Sequence, residues 1–245
     1  MDHTIITRTI GIDFIYLDLA FLIVWICTLI VKKHYISIFW GVFGFITYFG
    51  VEYLVWYKRL GVRTYNGSID TLLFFVWLAF SPGFAQFSFV SAMFERKKKN
   101  DPLFWTLLFF IGWLLVALGS QLISLNNETI EISRNMGESN QRIFFIWMLV
   151  INITWGCIWV YFNKLTVKEL LYIFLVGTLV ELNLEFSLAI SNIRQQQGLW
   201  SWKQFISNTL LEFNMGIFIN YLLWSRCYSN FTKSNLFNQE KKEND

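Results

Sequence analysis

Charge is scarce in this chain. Of 245 residues only 15% are Asp, Glu, Lys or Arg, and proline and histidine occur twice each. A soluble domain is about a quarter charged and roughly half apolar, whereas here 55% of residues are hydrophobic and 20% aromatic. That depletion sets the class as a membrane protein. The two histidines, His3 and His34, fall in a terminus and a predicted loop, which excludes the usual histidine-bound zinc, haem ligation and Ser–His hydrolysis. Cys27, Cys157 and Cys227 lie far apart, in or beside apolar stretches, and form neither a disulfide framework nor a metal site. No cofactor and no metal are predicted. A formal net charge of +3, scattered along the chain, does not point to nucleic acid.

What the chain has in quantity is long apolar runs. Seven stretches reach the roughly 20 residues that cross about 30 Å of hydrocarbon. They are Gly11–Val31, Tyr35–Trp56, Ile69–Phe94, Phe104–Leu125, Ile143–Phe162, Leu170–Ile193 and Phe205–Trp224. The first ends in two lysines with no small-residue cleavage pattern, so it is expected to be a retained helix. The fold class expected is all-α: a polytopic membrane protein, a seven-transmembrane-helix bundle over residues 1–225. Residues 226–245 then form a polar, disordered cytoplasmic tail. With the N-terminus outside and the C-terminus inside, the inner loops and tail carry twelve Lys and Arg residues and the outer ones eight. That asymmetry favours N-out/C-in.

The last two spans organise the rest. The sixth carries Glu181, Asn183 and Glu185; the seventh carries Asn208, Glu212, Asn214 and Asn220. A carboxylate at mid-membrane costs about 2.5 kcal/mol or more, so such residues usually face a protein interior. At about 1.5 Å per helical residue, Glu185, Glu212 and Asp18 lie roughly 12 Å in from the outer ends of their helices. Glu52 falls nearer the surface and Glu181 near the midplane. Helical spacing gathers Thr178, Glu181, Glu185 and Asn192 on one face, and Asn208, Glu212, Gly216, Asn220 and Trp224 on another. Gly41, Tyr48, Glu52 and Trp56 share a face of the second span, and Asn152, Trp155 and Trp159 one of the fifth. Facing inwards, these stripes make a pocket with an acidic, aromatic wall.

Each residue also has a plainer explanation. Glu52 can pair with Lys58, Arg59 or Arg63 at the membrane edge. Asp13 and Asp70, at span ends, fit solvated or capping roles. Trp40, Trp56, Tyr57, Trp200, Trp202 and Trp224 suit an interfacial aromatic belt, whereas Trp77 and Trp155 are expected deeper. Ser81-Pro82-Gly83 predicts a kink in the third span.

Three function classes fit: an enzyme acting on a lipid-like substrate, a small-solute or cation/proton-coupled transporter, and a sensor or structural subunit. A retinal protein is disfavoured, because the seventh span has no lysine for a Schiff base. The run Tyr48-Phe-Gly-Val-Glu52-Tyr-Leu-Val-Trp56, the junction Asn100-Asp-Pro102-Leu-Phe104 and the stretch from Glu212 to Trp224 resemble motifs of the small membrane-bound terpene cyclases of meroterpenoid and indole-diterpene pathways. The family's Asn–Ala–Trp–Glu form and third-helix aspartate have no counterpart, and its late aspartate would fall near Gly216. The resemblance implies proton-initiated cyclisation of a prenyl substrate, a lyase or isomerase type of reaction. Glu52 and Glu212 would be catalytic, and Asp18, Tyr48, Trp77, Trp155, Glu181, Glu185 and Asn208 would bind substrate. The partners expected are the bilayer and a hydrophobic small molecule.

Overall fold

The computed structural model describes residues 6–97, 100–123, 125–134, 138–191, 193 and 202–243, with side chains except at 6, 138–142, 203–204 and 231–243. His3, Asn192 and Trp200 lie outside these residues. The chain is mostly helical. A strand, β1 (Ile6–Gly11), leads into α1 (Ile12–Val31); α2 (Tyr35–Phe49) continues as a π-helical segment, Gly50–Arg59. After β2 (Arg63–Asn66), α3 (Thr71–Ala79), a π-helical segment Phe80–Phe84 and α4 (Ala85–Glu95) make one rod. Then come α5 (Asp101–Leu122), β3 (Thr129–Arg134), α6 (Glu138–Tyr161) and α7 (Val167–Ile190). The chain closes with α8 (Trp202–Leu211) and α9 (Ile217–Glu243).

Among the described residues, six helices are long and apolar enough to cross a membrane: Ile12–Val31, Tyr35–Arg59, Thr71–Glu95, Asp101–Leu122, Ile143–Tyr161 and Val167–Ile190. The seventh stretch, Phe205–Trp224, is not one helix, because turns at residues 212–216 separate α8 from α9. α9 runs on to Glu243, through the stretch expected to be an unstructured tail.

Local chemistry sets several helix ends. Asp70 caps α3, accepting from the backbone N–H groups of Leu72 (2.9 Å) and Leu73 (3.1 Å). Thr166 and Glu169 form a reciprocal capping box at the start of α7. Asp13 is buried rather than solvated. It accepts from the N–H groups of Leu125 and Asn126, both at 3.0 Å, and so ties the start of α1 to the segment leading into β3.

Lipid tails are as apolar as leucine, so helices in a bilayer associate through close packing and interhelical hydrogen bonds, each worth about 1 kcal/mol. Both are present. α2 lies so close to the π-helical segment at Pro82 that a Cβ on Gly44 or Gly83 would strike the other's carbonyl. The indoles of Trp25, Trp40 and Trp224 donate to Ser88 (2.8 Å), Asn220 (2.9 Å) and Ser91 (2.8 Å). Trp40 and Trp224 are therefore buried bundle residues and not interfacial anchors. Their N–H groups find partners inside, which is the usual requirement for burying an indole.

The three strands, distant in sequence, form one antiparallel sheet in the order β1-β3-β2. Two rods separate β1 from β2 and two more separate β2 from β3, so rods that each cross once bring all three strands to the same end of the bundle. Alternation gives this sheet a covered face. Ile130, Ile132 and Arg134 are buried while Thr129 and Glu131 are exposed. Arg63 is likewise buried beside exposed Thr64, and Arg8 and Ile10 sit inward of exposed Thr7 and Thr9.

Candidate functional site

Between that sheet and the helices lies a cavity of about 810 Å³. Tyr48, from α2, and Glu52 and Trp56, from the π-helical continuation, form one side. Glu181 and Leu184 of α7 face it, and Glu212 and Met215 come from the break between α8 and α9. Phe144 and Phe145 add rings from α6, and Arg8, Arg63 and Arg134 line it from the sheet. The wider helical turn of a π segment interrupts the regular ladder, and such segments are frequent at functional sites. Here the one at Pro82 and the one at Glu52 both border the void.

The break at residues 212–216 exposes backbone groups that must be satisfied away from water. Asn152, fully buried on α6, does this on both sides. Its Nδ2 donates to the Met215 carbonyl, and its Oδ1 accepts from the Ile219 N–H at 3.3 Å. Asn214 donates to the Leu210 carbonyl (3.1 Å) and to Thr178 Oγ1 (2.8 Å) on α7. It fits against α7 because residue 177 is glycine: a Cβ there would overlap the Asn214 Oδ1. Two asparagines thus hold the interruption open and deliver Glu212 to the cavity.

Three carboxyl groups meet here, with Glu181 and Glu212 on the cavity wall and Glu185 beside them. Glu181, Glu185 and Glu212 each present an oxygen within 4.8 Å of the others. Asn208 Nδ2 donates to Glu185 Oε1 at 3.3 Å. Buried Gln86 accepts from the Tyr48 hydroxyl (2.9 Å) and donates to Glu181 Oε1 (3.4 Å), a relay across the pocket that the sequence did not single out. Groups this close relieve their mutual repulsion by sharing a proton, by pairing with a cationic side chain or by taking up a cation. As an all-oxygen set, the three would suit a hard divalent ion.

Glu52 takes the plainer of its two roles. Both its oxygens are gripped by Arg63, through Nε at 2.6 Å and Nη2 at 2.7 Å, while it still lines the cavity. The guanidinium groups of Arg63 and Arg134 lie 5.3 and 5.4 Å from the Trp56 ring, so Trp56 belongs to the site and not to an interfacial belt.

Tyr48, Glu52, Glu181 and Glu212 thus line one chamber, with Glu185 and Asn208 joined to it. The structure does not bring the other expected site residues there. Asp18 accepts from Trp77 Nε1 at 2.9 Å, and Trp77 lines a smaller adjoining void of about 70 Å³ that shares Arg8, Arg63, Leu78, Pro82 and Leu184 with the chamber. Trp155 corrects the sequence reading most clearly: it is 52% exposed and lines neither void, because its side of α6 faces outwards. The sequence named Arg63 as a possible partner of Glu52 but missed Arg8 and Arg134 as residues of the chamber. For Arg134 the signal was the alternation in Thr129–Arg134, where apolar and charged residues share every second position. Compared with protein-family models, characterised proteins and solved structures, the chain matches none of them.

Proposed function

We propose that this chain is a membrane-embedded enzyme that admits an amphiphilic, prenyl-like substrate to the chamber and starts its reaction by general-acid catalysis. The observation that carries this is the meeting of Glu181 and Glu212 on the wall of an 810 Å³ cavity among aromatic side chains, with Glu185 clustered beside them. A proton held among these carboxyl groups adds to a substrate double bond or opens an epoxide. A neighbouring double bond then closes a ring on the cation, and a C–H proton returns to a carboxylate. The product is an isomer of the substrate, with no oxidant or reductant required. The rings of Phe144 and Phe145 offer cation–π stabilisation of the positive intermediate.

This reading keeps the terpene-cyclase resemblance but moves its chemistry. Arg63 engages both oxygens of Glu52, which fits an orienting role. Glu212, with Glu181 and Glu185, is the better donor. The seventh span is an interrupted crossing formed by α8 and α9, and the N-terminus is outside, as the Lys/Arg distribution favours. The sheet and chamber then sit at the exterior leaflet, in contact with lipid.

One observation favours a second reading, a proton- or cation-coupled carrier. Interrupted helices border the cavity on two sides, at Pro82 and at residues 212–216, as in transporters that bind cargo at broken helices. Reconstitution separates the two. The enzyme reading expects the purified chain, in vesicles without an ion gradient, to convert a panel of prenyl alcohols, phosphates and epoxides. Gradient-dependent uptake with no conversion would favour the carrier.

A further inference from the structure

The covered face of the sheet needs only apolar side chains to close the bundle, and Ile10, Ile130 and Ile132 supply them. The same face also carries Arg8, Arg63 and Arg134, one from each strand, and all three line the chamber. Arg63 and Arg134 are direct cross-strand partners, 6% and 9% exposed. Like charges placed opposite one another destabilise a strand pair, and burying a guanidinium is costly. A closing sheet has no need of that arrangement, and a neutral prenyl chain has no use for it.

We propose that the sheet end of the chamber receives a phosphate-type anionic head carried on an apolar chain. The inference rests on the enzyme reading for the fate of the chain, not for the binding of the head. Guanidinium forks match phosphate oxygens in pairs, and Arg63 keeps three N–H donors beyond the two it gives to Glu52. The stacking of Arg63 and Arg134 on Trp56 fixes both groups before a ligand arrives. Val51, Leu78, Leu184 and Met215 give the same chamber an apolar lining for the chain. The head is an anchor and not a leaving group: it stays on the sheet while the far end of the chain meets Glu181 and Glu212.

The test is calorimetric titration of the full chain in phosphatidylcholine nanodiscs with farnesyl phosphate, farnesol and inorganic phosphate. Farnesyl phosphate is expected to bind at least about tenfold more tightly than farnesol, and much more tightly than inorganic phosphate. Arg134→Gln and Arg8→Gln should each reduce that preference by about tenfold and leave farnesol binding unchanged. Should Arg134→Gln fail to fold, Arg8→Gln on the edge strand carries the test. Equal binding of farnesol and farnesyl phosphate would overturn the proposal, as would a preference that survives in both folded variants. Inorganic phosphate binding as tightly as farnesyl phosphate would also overturn it, since the site would then serve the free ion. Head-selective binding without any cyclised product would sink the enzyme reading and leave this inference standing. Turnover of uncharged prenyl epoxides with no head preference would do the reverse.

Discussion

The two ends of the bundle bury polar groups in opposite ways. Away from the sheet, Trp25, Trp105 and Phe109 pack with ring centroids 5.2–5.3 Å from Trp25, and Phe89 stacks on Phe109 at 4.6 Å. Several polar groups there are paired across helices, although the buried Trp105 Nε1 has no hydrogen-bond partner among the described residues. Trp25 donates to Ser88, Ser37 and Trp224 to Ser91, and His34 meets Glu95 at 2.6 Å. Under the sheet, four glutamates and three arginines surround or adjoin an open volume, and the helices beside it are widened or interrupted. The first end is built to hold helices together. At the second, polar groups sit around a void that aromatic rings could have filled, which is where binding and chemistry belong.

Substitutions should divide along the same line. The largest effect expected is on turnover: Glu212→Gln or Glu181→Gln should lower product formation by about a hundredfold or more, with thermal unfolding unchanged or raised. Trp25→Ala should do the opposite, costing about 3–5 kcal/mol of stability, seen as a large fall in unfolding temperature. If Glu212→Gln destabilised the chain as much as Trp25→Ala, the contrast between the two ends would break. Asn152→Ala should cost about 1–3 kcal/mol, because the Met215 carbonyl and Ile219 N–H lose their partner, and should reduce turnover by misplacing Glu212. Smallest is Asp70→Ala, about 1 kcal/mol from the lost cap, read by thermal unfolding with turnover unchanged.

Much of this was legible in the sequence. Apolar length marked six of the rods, and intramembrane cost marked Glu181, Glu185 and Glu212 as interior residues. The break at residues 212–216 was not legible, because no proline marks it and the every-fourth-residue stripe through Asn208 and Asn220 assumed an unbroken helix. Asn208 instead reaches Glu185 and Asn220 reaches Trp40. Tryptophan misled in both directions. Its amphipathic ring suits an interface equally well as a buried partner for a serine, so Trp224 was expected outside and Trp155 inside. The sheet escaped because strands of four to six residues, set among charges, look like loops until their pairing is known.

The central claim is that the carboxyl wall gives its proton to a substrate held in the chamber. The most direct measurement is mass spectrometry of products formed from geranylgeranyl phosphate by the purified chain in heavy water, beside the Glu181→Gln and Glu212→Gln variants. The expected product is a ring-closed isomer carrying one non-exchangeable deuterium, formed by the natural chain and lost in at least one variant. A product without deuterium at carbon, or equal yields from all three proteins, would contradict it.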